Sequence, residues 1–317
     1  MSGSGQHVQV SIVVPVYNSE DCLRELVGRI ESALDPAGLS HEIILVNDGS
    51  RDKSWDVIRE LARENASVRG ICFRRNFGQD NALMAGLRLV KGQYAVIMDD
   101  DLQHDPDYIP AMYEEVSKGY DVVYASYDQK RQAVWKNLGS WLNDKVSNVV
   151  LRKPHELYLS PFKIVRAEIL PEVCKYEGPY PYVDGLLLRV THNCSQVFIE
   201  HKKRYAGRSN YTFHRSVRVW VHVATSFSVA PLRISGCIGV VVAFLGGVLA
   251  VVLVIARLLN DQWPAGWASL MVGLLLIGGL QLICIGVVGE YVGRNFLNVN
   301  RAPQYSIKEI LNTSETP

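Results

Sequence analysis

The first 125 residues alternate between short β-branched runs and amphipathic segments. Predicted strands cover 8–15, 42–46, 68–73, 94–98 and 121–125. Between them, helical periodicity predicts a helix capped by Asn18 or Ser19 and further helices over 52–62, 79–90 and 107–118. Strands that alternate with helices favour an α/β domain with a mostly parallel sheet and helices on both faces.

Composition argues against several classes of protein. The chain has 317 residues and a formal net charge of +1, so no basic excess indicates a nucleic-acid partner. Six cysteines contain no C-x-x-C pair, which argues against a zinc or redox motif. Residues 1–8 are polar and do not resemble a signal peptide, so we expect a cytoplasmic catalytic domain.

Two uncharged apolar runs lie in the last third of the chain, at about 234–256 and 267–289. Each reaches the roughly 20 residues that a transmembrane helix needs, although a pair of buried helices is the alternative. Basic residues flank the pair and are scarce between the runs, which predicts that both termini are cytoplasmic. They are Lys202, Lys203, Arg204, Arg208, Arg215, Arg218 and Arg233 before it, and Arg294, Arg301 and Lys308 after it.

These patterns divide the chain into four parts. We expect a catalytic domain over 1–212, an amphipathic region over 213–232, the two transmembrane helices within 233–295, and a cytoplasmic tail over 296–317. The 213–232 region is either an interfacial helix or a helix packed on the soluble domain, and periodicity does not separate the two.

Polar residues cluster where the predicted strands end, which is where open α/β sheets bind ligands. They include Tyr17, Glu20, Asp48, Arg75 and the run Asp99-Asp100-Asp101. Neither a Gly-x-Gly-x-x-Gly fingerprint nor a P-loop is present, so these are not the sites of a dinucleotide enzyme or a P-loop NTPase.

Three adjacent carboxylates repel one another and call for a counter-charge. A hard divalent cation with oxygen ligands supplies it, and such an ion can bridge the phosphates of a nucleotide diphosphate. Side chains alternate along an extended strand, so Asp99 and Asp101 are predicted to face the nucleotide and to bind metal, with Asp100 on the other side. A solvated acidic turn is the alternative.

Several ordered motifs together resemble the family 2 glycosyltransferases of the Rossmann-like GT-A fold, in particular the polyprenyl-phosphate branch. They are Ser11-Ile-Val-Val-Pro-Val-Tyr-Asn18, Val46-Asn-Asp-Gly-Ser50, Arg75-Asn-Phe-Gly78, Met84-Ala-Gly-Leu87, Asp99-Asp-Asp-Leu-Gln103, Arg204-x-x-Gly207-x-Ser209-x-Tyr211 and Gly289-Glu-Tyr-Val-Gly-Arg294. That branch includes bactoprenol glucosyltransferases, dolichyl-phosphate mannose synthases and undecaprenyl-phosphate aminoarabinose transferases. The implied architecture is a GT-A domain with a C-terminal transmembrane hairpin.

The resemblance also implies roles for matching positions. Pro15, Tyr17, Glu20 and Asp48 would hold the nucleoside, Asp99 and Asp101 would bind Mg²⁺ or Mn²⁺ with the diphosphate, and Arg204 and Ser209 would approach the phosphates. Ser19 intervenes where the family has its acid, which weakens the role of Glu20. Many relatives carry an Asp, as a catalytic base or a sugar contact, where this chain has either Glu156 or Leu157, and Glu156 is the acid available there. Asp184 is a second candidate sugar contact.

The function implied is metal-dependent transfer of one sugar, with inversion, from a nucleotide-diphosphate sugar to polyprenyl phosphate at the cytoplasmic face of the inner membrane. The expected donor is UDP-glucose, with UDP-N-acetylhexosamine, GDP-mannose and a UDP-aminoarabinose derivative as rivals. The resemblance further implies a homo-oligomer, a tetramer in related proteins, and a role in the cell envelope such as lipopolysaccharide O-antigen modification. A processive polysaccharide synthase and a non-catalytic membrane scaffold are the alternatives.

Overall fold

The computed structural model describes residues 8–127, 157–199, 230–259, 266–300 and 303–312. The chain forms two compact units. An α/β unit comprises residues 1–210 together with 301–317, and a helical unit comprises 211–300. The chain therefore leaves the α/β unit, forms the helical unit and then returns to the α/β unit.

The α/β unit carries eight strands and six α-helices in its described part. In chain order they are β1 (Val10–Val16), α1 (Leu23–Leu34), β2 (His41–Asn47), α2 (Ser54–Glu64), β3 (Val68–Phe73), α3 (Gln79–Leu87), β4 (Tyr94–Ile97), α4 (Ile109–Ser117), β5 (Val122–Tyr127), β6 (Lys163–Arg166), α5 (Leu170–Cys174), α6 (Val183–Val190), β7 (Cys194–Ile199) and β8 (Ile307–Leu311).

The described strands form one sheet in the order β7-β5-β6-β4-β1-β2-β3-β8. Strands β3, β2, β1 and β4 are parallel neighbours, whereas β6 and β8 run antiparallel to β4 and β3. From β1 the chain builds outward to β2 and β3 on one side and places β4 on the other. The point between β1 and β4 is therefore a topological switch point, where α/β sheets form their ligand crevice.

Burial explains why these segments form these elements. Every residue of β1 is buried, as expected for a central strand covered on both faces. Helix α1 buries the apolar face that its periodicity predicts, namely Leu23, Leu26, Val27, Ile30 and Leu34. Helix α3 packs closely on β1, because a Cβ at Gly86 would lie only 2.4 Å from Val13 Cγ1. The predicted parallel α/β sheet is confirmed.

Two boundaries differ from the sequence predictions. The tail predicted over 296–317 is not a separate appendage, because residues 307–311 pair with β3 as the edge strand β8. The second apolar helix extends beyond residue 289 to Val299. Edge strands are short and only half buried, so β8 lacks the strong apolar signal that revealed the central strands.

The helical unit contains α7 (Ala230–Leu259) and α8 (Trp267–Val299). The helices are adjacent, with Cys284 Sγ 4.0 Å from the carbonyl oxygen of Ser235. Across the part of the chain that is described, no helix combines the length and apolar character required to cross a membrane. The transmembrane hairpin therefore stays a prediction. The predicted interfacial region lies outside the described residues up to residue 229.

Candidate functional site

The aspartate run lies directly after β4, at the switch point of the sheet. Leu102 adopts a left-handed conformation with φ of 59°, which turns the chain sharply behind the run. The turn is held by His104, whose Nδ1 accepts the backbone N–H of Asp99 at 3.0 Å. His104 in turn stacks on the buried Phe162 with ring centroids 5.2 Å apart. The three carboxylates thus sit on a firmly packed turn.

The three side chains have different partners. Asp99 accepts a hydrogen bond from Gln79 Nε2 at 2.7 Å. Asp100 accepts the backbone N–H of Tyr17 at 3.1 Å and the hydroxyl of Ser19 at 2.5 Å, so it joins β4 to the loop after β1. Asp101 accepts the backbone N–H of Gln103 at 3.1 Å. Asp100 therefore has a structural role.

The cluster carries an excess of negative charge. Burial, and then the neighbouring Asp101, raise the pKa of Asp99 to about 6. Burial also raises the pKa of Asp100 to about 6, with further contributions from the adjacent carboxylates. Burial is the larger cause of both shifts, and repulsion between the carboxylates adds to it; a bound divalent cation would offset both effects.

The donor set fits Mg²⁺ or Mn²⁺ bound jointly by protein and substrate. Among the described residues, no group of three His, Cys, Asp or Glu side chains is arranged to hold a metal by itself. Magnesium sites in nucleotide enzymes characteristically use one or two carboxylates, with phosphate oxygens and water completing the shell. Asp99 and Asp101 are the residues that would hold such an ion, as the sequence predicts.

Asp48 fixes the geometry of a second loop. Its carboxylate accepts the backbone N–H groups of Phe77 at 2.6 Å and Gly78 at 2.9 Å. Burial raises the pKa of Asp48, while these two hydrogen bonds oppose the shift. Gly49 has φ of +64°, and a Cβ there would meet the Arg75 carbonyl carbon at 2.5 Å, so only glycine allows the two loops to approach.

The predicted nucleoside residues after β1 occupy different environments. Pro15 is buried within β1, so it shapes the strand, whereas the Tyr17 side chain is exposed beside the crevice. Glu20 accepts the backbone N–H of Lys53 at 2.7 Å and so holds the start of α2. Ser19, which displaces the acid of the family motif, donates its own backbone N–H to Ser54 Oγ and its hydroxyl to Asp100.

The sequence predicts the helix α3, but sequence reasoning missed the contacts that its first turn makes at the site. Gln79 binds Asp99, Asp80 accepts the backbone N–H of Val183 at 3.2 Å, and Asn81 donates to the carbonyls of Phe77 at 2.7 Å and Pro179 at 3.3 Å. This turn therefore joins the aspartate run, the Asp48 loop and the segment before α6. Its signal in the sequence was the polar Gln-Asp-Asn directly after Gly78, at a helix start.

A buried ion pair lies close to the site. Lys163 in β6 is only 2% exposed and forms a salt bridge with Asp184, which also accepts the hydroxyl of Tyr124 at 3.1 Å. Lys163 lowers the pKa values of Asp80 and Asp99, against the larger effect of burial. Asp184, a candidate sugar contact in the sequence, is committed to this pair. A lysine within the apolar run Phe162-Lys-Ile-Val165 was the available signal.

The remaining candidates, Glu156, Arg204 and Ser209, lie outside the described residues, so their roles stay predictions. Residues after β1, β2 and β4 do meet at one edge of the sheet, since Asp100 contacts the first loop and the hydroxyl of Ser50 accepts the backbone N–H of Asn18 at 3.0 Å.

Comparisons with known proteins agree with this fold. The model of "Glycosyl transferase family 2" matches residues 11–172. The chain is 33% identical to the undecaprenyl-phosphate 4-deoxy-4-formamido-L-arabinose transferase of Edwardsiella ictaluri (strain 93-146) over 310 residues, covering 96% of this chain and 95% of that protein. It is 32% identical to the protein of that name from Enterobacter sp. (strain 638), covering 96% and 94%.

Among solved structures, glucosyl-3-phosphoglycerate synthase from Mycobacterium tuberculosis, in complex with phosphoglyceric acid, aligns with a TM-score of 0.52 at 18% identity. The alignment covers 69% of this chain and 80% of the synthase. The likeness confirms the GT-A fold. The chain belongs to glycosyl transferase family 2, and it is a glycosyltransferase.

Proposed function

We propose that this glycosyltransferase moves one sugar from a nucleotide-diphosphate sugar to a polyprenyl phosphate. The observation that carries the proposal is the placement of Asp99 and Asp101 at the switch point of a chain similar, over nearly its whole length, to undecaprenyl-phosphate sugar transferases. The placement supports a nucleotide-sugar site, and the similarity supports the lipid phosphate as acceptor.

On the donor side, the residues bind and orient. Asp48 holds the 75–78 loop against β2, and the exposed Tyr17 offers a ring at the crevice for the nucleoside. Asp99 and Asp101 would hold Mg²⁺ or Mn²⁺, which when bound neutralises charge on the leaving diphosphate. Gln79 keeps the Asp99 carboxylate turned toward α3 and the crevice.

On the acceptor side, a phosphate ester is already anionic at neutral pH, so the nucleophile needs little help from a base. The work of the site is then to align the two substrates and to stabilise the departing diphosphate. A single in-line displacement of this kind inverts the anomeric centre. We propose that Arg204 and Ser209 approach the phosphates, and that Glu156 contacts the sugar or its acceptor.

We further propose that α7 and α8 anchor the enzyme in the inner membrane, with the catalytic unit and both termini in the cytoplasm. Large apolar side chains on both helices are exposed, among them Val240, Phe244, Leu270 and Leu282. Contiguous exposed apolar surface indicates a lipid or protein environment. Because β8 belongs to the catalytic sheet, the chain on both sides of the helical unit lies on one side of the membrane in this arrangement.

The proposal also includes the identity of the donor sugar. UDP-glucose is the donor expected from the sequence, and the Mycobacterium tuberculosis synthase of the same fold has been crystallised with Mn²⁺ and UDP-glucose. The relatives similar over the full length are named for 4-deoxy-4-formamido-L-arabinose. We therefore propose UDP-glucose as the first donor to test and UDP-4-deoxy-4-formamido-L-arabinose as its direct competitor.

Purified protein in detergent, incubated with Mn²⁺ or Mg²⁺, undecaprenyl phosphate and each donor separately, tests the proposal. GDP-mannose and UDP-N-acetylglucosamine complete the panel. Mass spectrometry of the extracted lipid should show one added sugar with one donor. The reaction should stop with EDTA and resume with added metal.

Three outcomes contradict the proposal. Formation of long polymers would identify a processive synthase. Metal-dependent nucleotide binding without turnover of any donor would remove the assigned reaction. Failure to bind any of the nucleotides would favour a non-catalytic scaffold.

A further inference from the structure

The C-terminal segment after α8 reaches the candidate site. We name residues 303–312 the strap. It contains β8, and β8 runs antiparallel to β3, with Ile307 opposite Phe73 and Leu311 opposite Gly70. Because β3 is parallel to the central strands, its end at Phe73 lies at the edge of the sheet that carries the site. The start of the strap is therefore near the site, and its end is remote from it.

Tyr305, near the start of the strap, supports the loop that holds Asp48. Its ring stacks on Phe73 with centroids 5.0 Å apart and an angle of 9° between the planes. Phe73 contacts Phe77 edge to face at 5.7 Å, and the backbone N–H of Phe77 donates to Asp48. The backbone of the strap contributes as well, since the Ser306 carbonyl accepts the N–H of Arg74 at 2.9 Å.

Gln304 supports the segment on the other side of α3. Its side chain is buried, and its amide nitrogen donates to the carbonyls of Gly178 at 3.1 Å and Tyr176 at 3.5 Å. Arg88, directly after α3, reinforces this contact, because it donates to the Tyr305 hydroxyl and to the Tyr176 carbonyl. The strap thus holds residues 176–178 from one side.

The 174–182 segment, which joins α5 to α6, lies next to the site on its other side. Asn81 donates to the Pro179 carbonyl, and Asp80 accepts the N–H of Val183 at the start of α6. The neighbouring residue Gln79 binds Asp99. The segment is therefore fixed between the strap and the turn that orients the candidate metal ligand.

We propose that Gln304 and Tyr305 are positioning residues for nucleotide-sugar binding. They act through the 74–78 loop and the 174–182 segment and do not touch the substrate themselves. This inference rests on the proposed function for the identity of the ligand. The chain that follows the helical unit then completes the site that the first 200 residues begin.

The register of β8 provides a matched control within the strap. At its far end Asn312 donates to the carbonyls of Val68 at 2.9 Å and Ala62, at the opposite end of β3 from the site. Gln304→Ala and Asn312→Ala each remove two amide donors from the same segment. Asn312 has φ of 55°, so Asn312→Ala also strains the backbone and should lose at least as much stability as Gln304→Ala. A structural role alone would therefore affect nucleotide binding at least as strongly in Asn312→Ala, whereas a positioning role affects it only in Gln304→Ala.

The experiment measures UDP and GDP binding to the full-length protein in detergent with Mn²⁺ by calorimetry, together with thermal unfolding of each variant. For the nucleotide that the wild type binds, Gln304→Ala and Tyr305→Leu should raise Kd about 3- to 10-fold, the effect of a lost hydrogen bond or ring contact. Asn312→Ala should change Kd less than about 2-fold at an equal or larger loss of Tm. Tyr305→Phe, which keeps the stacking, should recover most of the affinity that Tyr305→Leu loses.

Equal Kd changes in Gln304→Ala and Asn312→Ala, or wild-type Kd in Gln304→Ala and Tyr305→Leu, would overturn the inference. Gln304→Glu adds a second test, because a carboxylate of the same length cannot donate to the two carbonyls and should behave like Gln304→Ala. Nucleotide binding is measured without a lipid acceptor. Failure of the proposed sugar transfer to polyprenyl phosphate would therefore leave this result interpretable.

Discussion

The α/β unit buries its apolar side chains, whereas the helical unit leaves many of its described apolar side chains exposed. In the α/β unit, β1 and the apolar face of α1 are completely enclosed. In the helical unit, Val240 and Leu282 are each 71% exposed. The first unit satisfies the requirements of a protein in water by itself. The described part of the second leaves large apolar side chains exposed, and we propose that the membrane covers them.

Charge is distributed with the same contrast. The described part of the α/β unit even buries charge, with Lys163 against Asp184 and Arg69 against Glu42 at 2.7 Å. The apolar stretches of α7 and α8 contain almost no ionisable side chains. Among the described residues, the polar chemistry of the candidate site lies in the α/β unit, so substitutions in the two units should have separable effects on catalysis and on localisation.

The largest expected effect is the loss of sugar transfer when a residue of the aspartate run is substituted. Asp101→Ala should reduce sugar transfer by about 10³-fold, because a group that stabilises leaving-group charge is lost. Initial rates with saturating donor and undecaprenyl phosphate measure it, and Tm should stay near that of the wild type. Asp107→Ala removes an exposed acid a few residues away and serves as the control. Comparable activity in the two variants would contradict the assignment of Asp101.

The buried ion pair gives the next effect, on stability. Lys163→Met leaves Asp184 without its cation and should lower the free energy of unfolding by about 3 kcal/mol. The double variant Lys163→Met/Asp184→Asn should recover most of this loss, because no uncompensated charge remains and the acceptor for Tyr124 is kept. Thermal unfolding of the three proteins measures the difference. A single variant as stable as the wild type would show that the pair is not needed.

A matched pair of arginine substitutions compares the two units directly. Val240→Arg in α7 should disfavour membrane insertion by about 2.5 kcal/mol if the helix lies in lipid. Phe198→Arg in β7, at a side chain 70% exposed on the α/β unit, should be nearly neutral. Flotation of membranes on a density gradient reports the bound fraction. If the helical unit is a membrane anchor, Phe198→Arg should float fully and Val240→Arg less fully. Protein that stays at the bottom of the gradient in both variants would show that the helical unit is not a membrane anchor.

The smallest predicted effect is on pH dependence. The pKa of Asp99 is raised to about 6, and carboxylates bind metal only when ionised. Metal-dependent binding should therefore be complete above pH 7 and should weaken as the pH falls through 6, by about 10-fold at pH 5. Titrations with UDP-glucose and Mn²⁺ measure this, because the diphosphate diester does not change its charge in this range. A constant Kd between pH 5 and 7 would exclude Asp99 as a ligand.

Much of the α/β unit could be predicted because its signals are local. β-branched runs predicted β1 to β5, and the periodicity of Leu23 to Leu34 predicted the buried face of α1. The placement of Asp48 and Asp99 at strand ends followed from the parallel alternation. Strand β8 was missed because a half-buried edge strand has no strong pattern, and its partner β3 lies more than 200 residues earlier in the chain.

The candidate site likewise has residues that the sequence predicted and contacts that it did not. The type and spacing of its acidic residues predicted the site, whereas nothing in the sequence predicted the contacts that support them. Gln79, Ser19 and His104 are ordinary polar residues in the sequence, and only the folded chain brings their donors and acceptors to Asp99 and Asp100. Asp184 was a candidate sugar contact in the sequence because it is an acid in an aromatic segment. In the structure it is the ion-pair partner of Lys163.

The sequence by itself determined the class of fold, the edge of the sheet that carries the candidate site and the apolar character of α7 and α8. Hydrophobic periodicity and residue type are local properties. The tertiary structure decided which aspartate is structural, which amide groups orient the candidate ligands and that the C-terminal strap completes the sheet beside the site. Those outcomes depend on contacts between residues far apart in the chain, such as Trp55 with Glu309 and Phe73 with Tyr305, which no local pattern encodes.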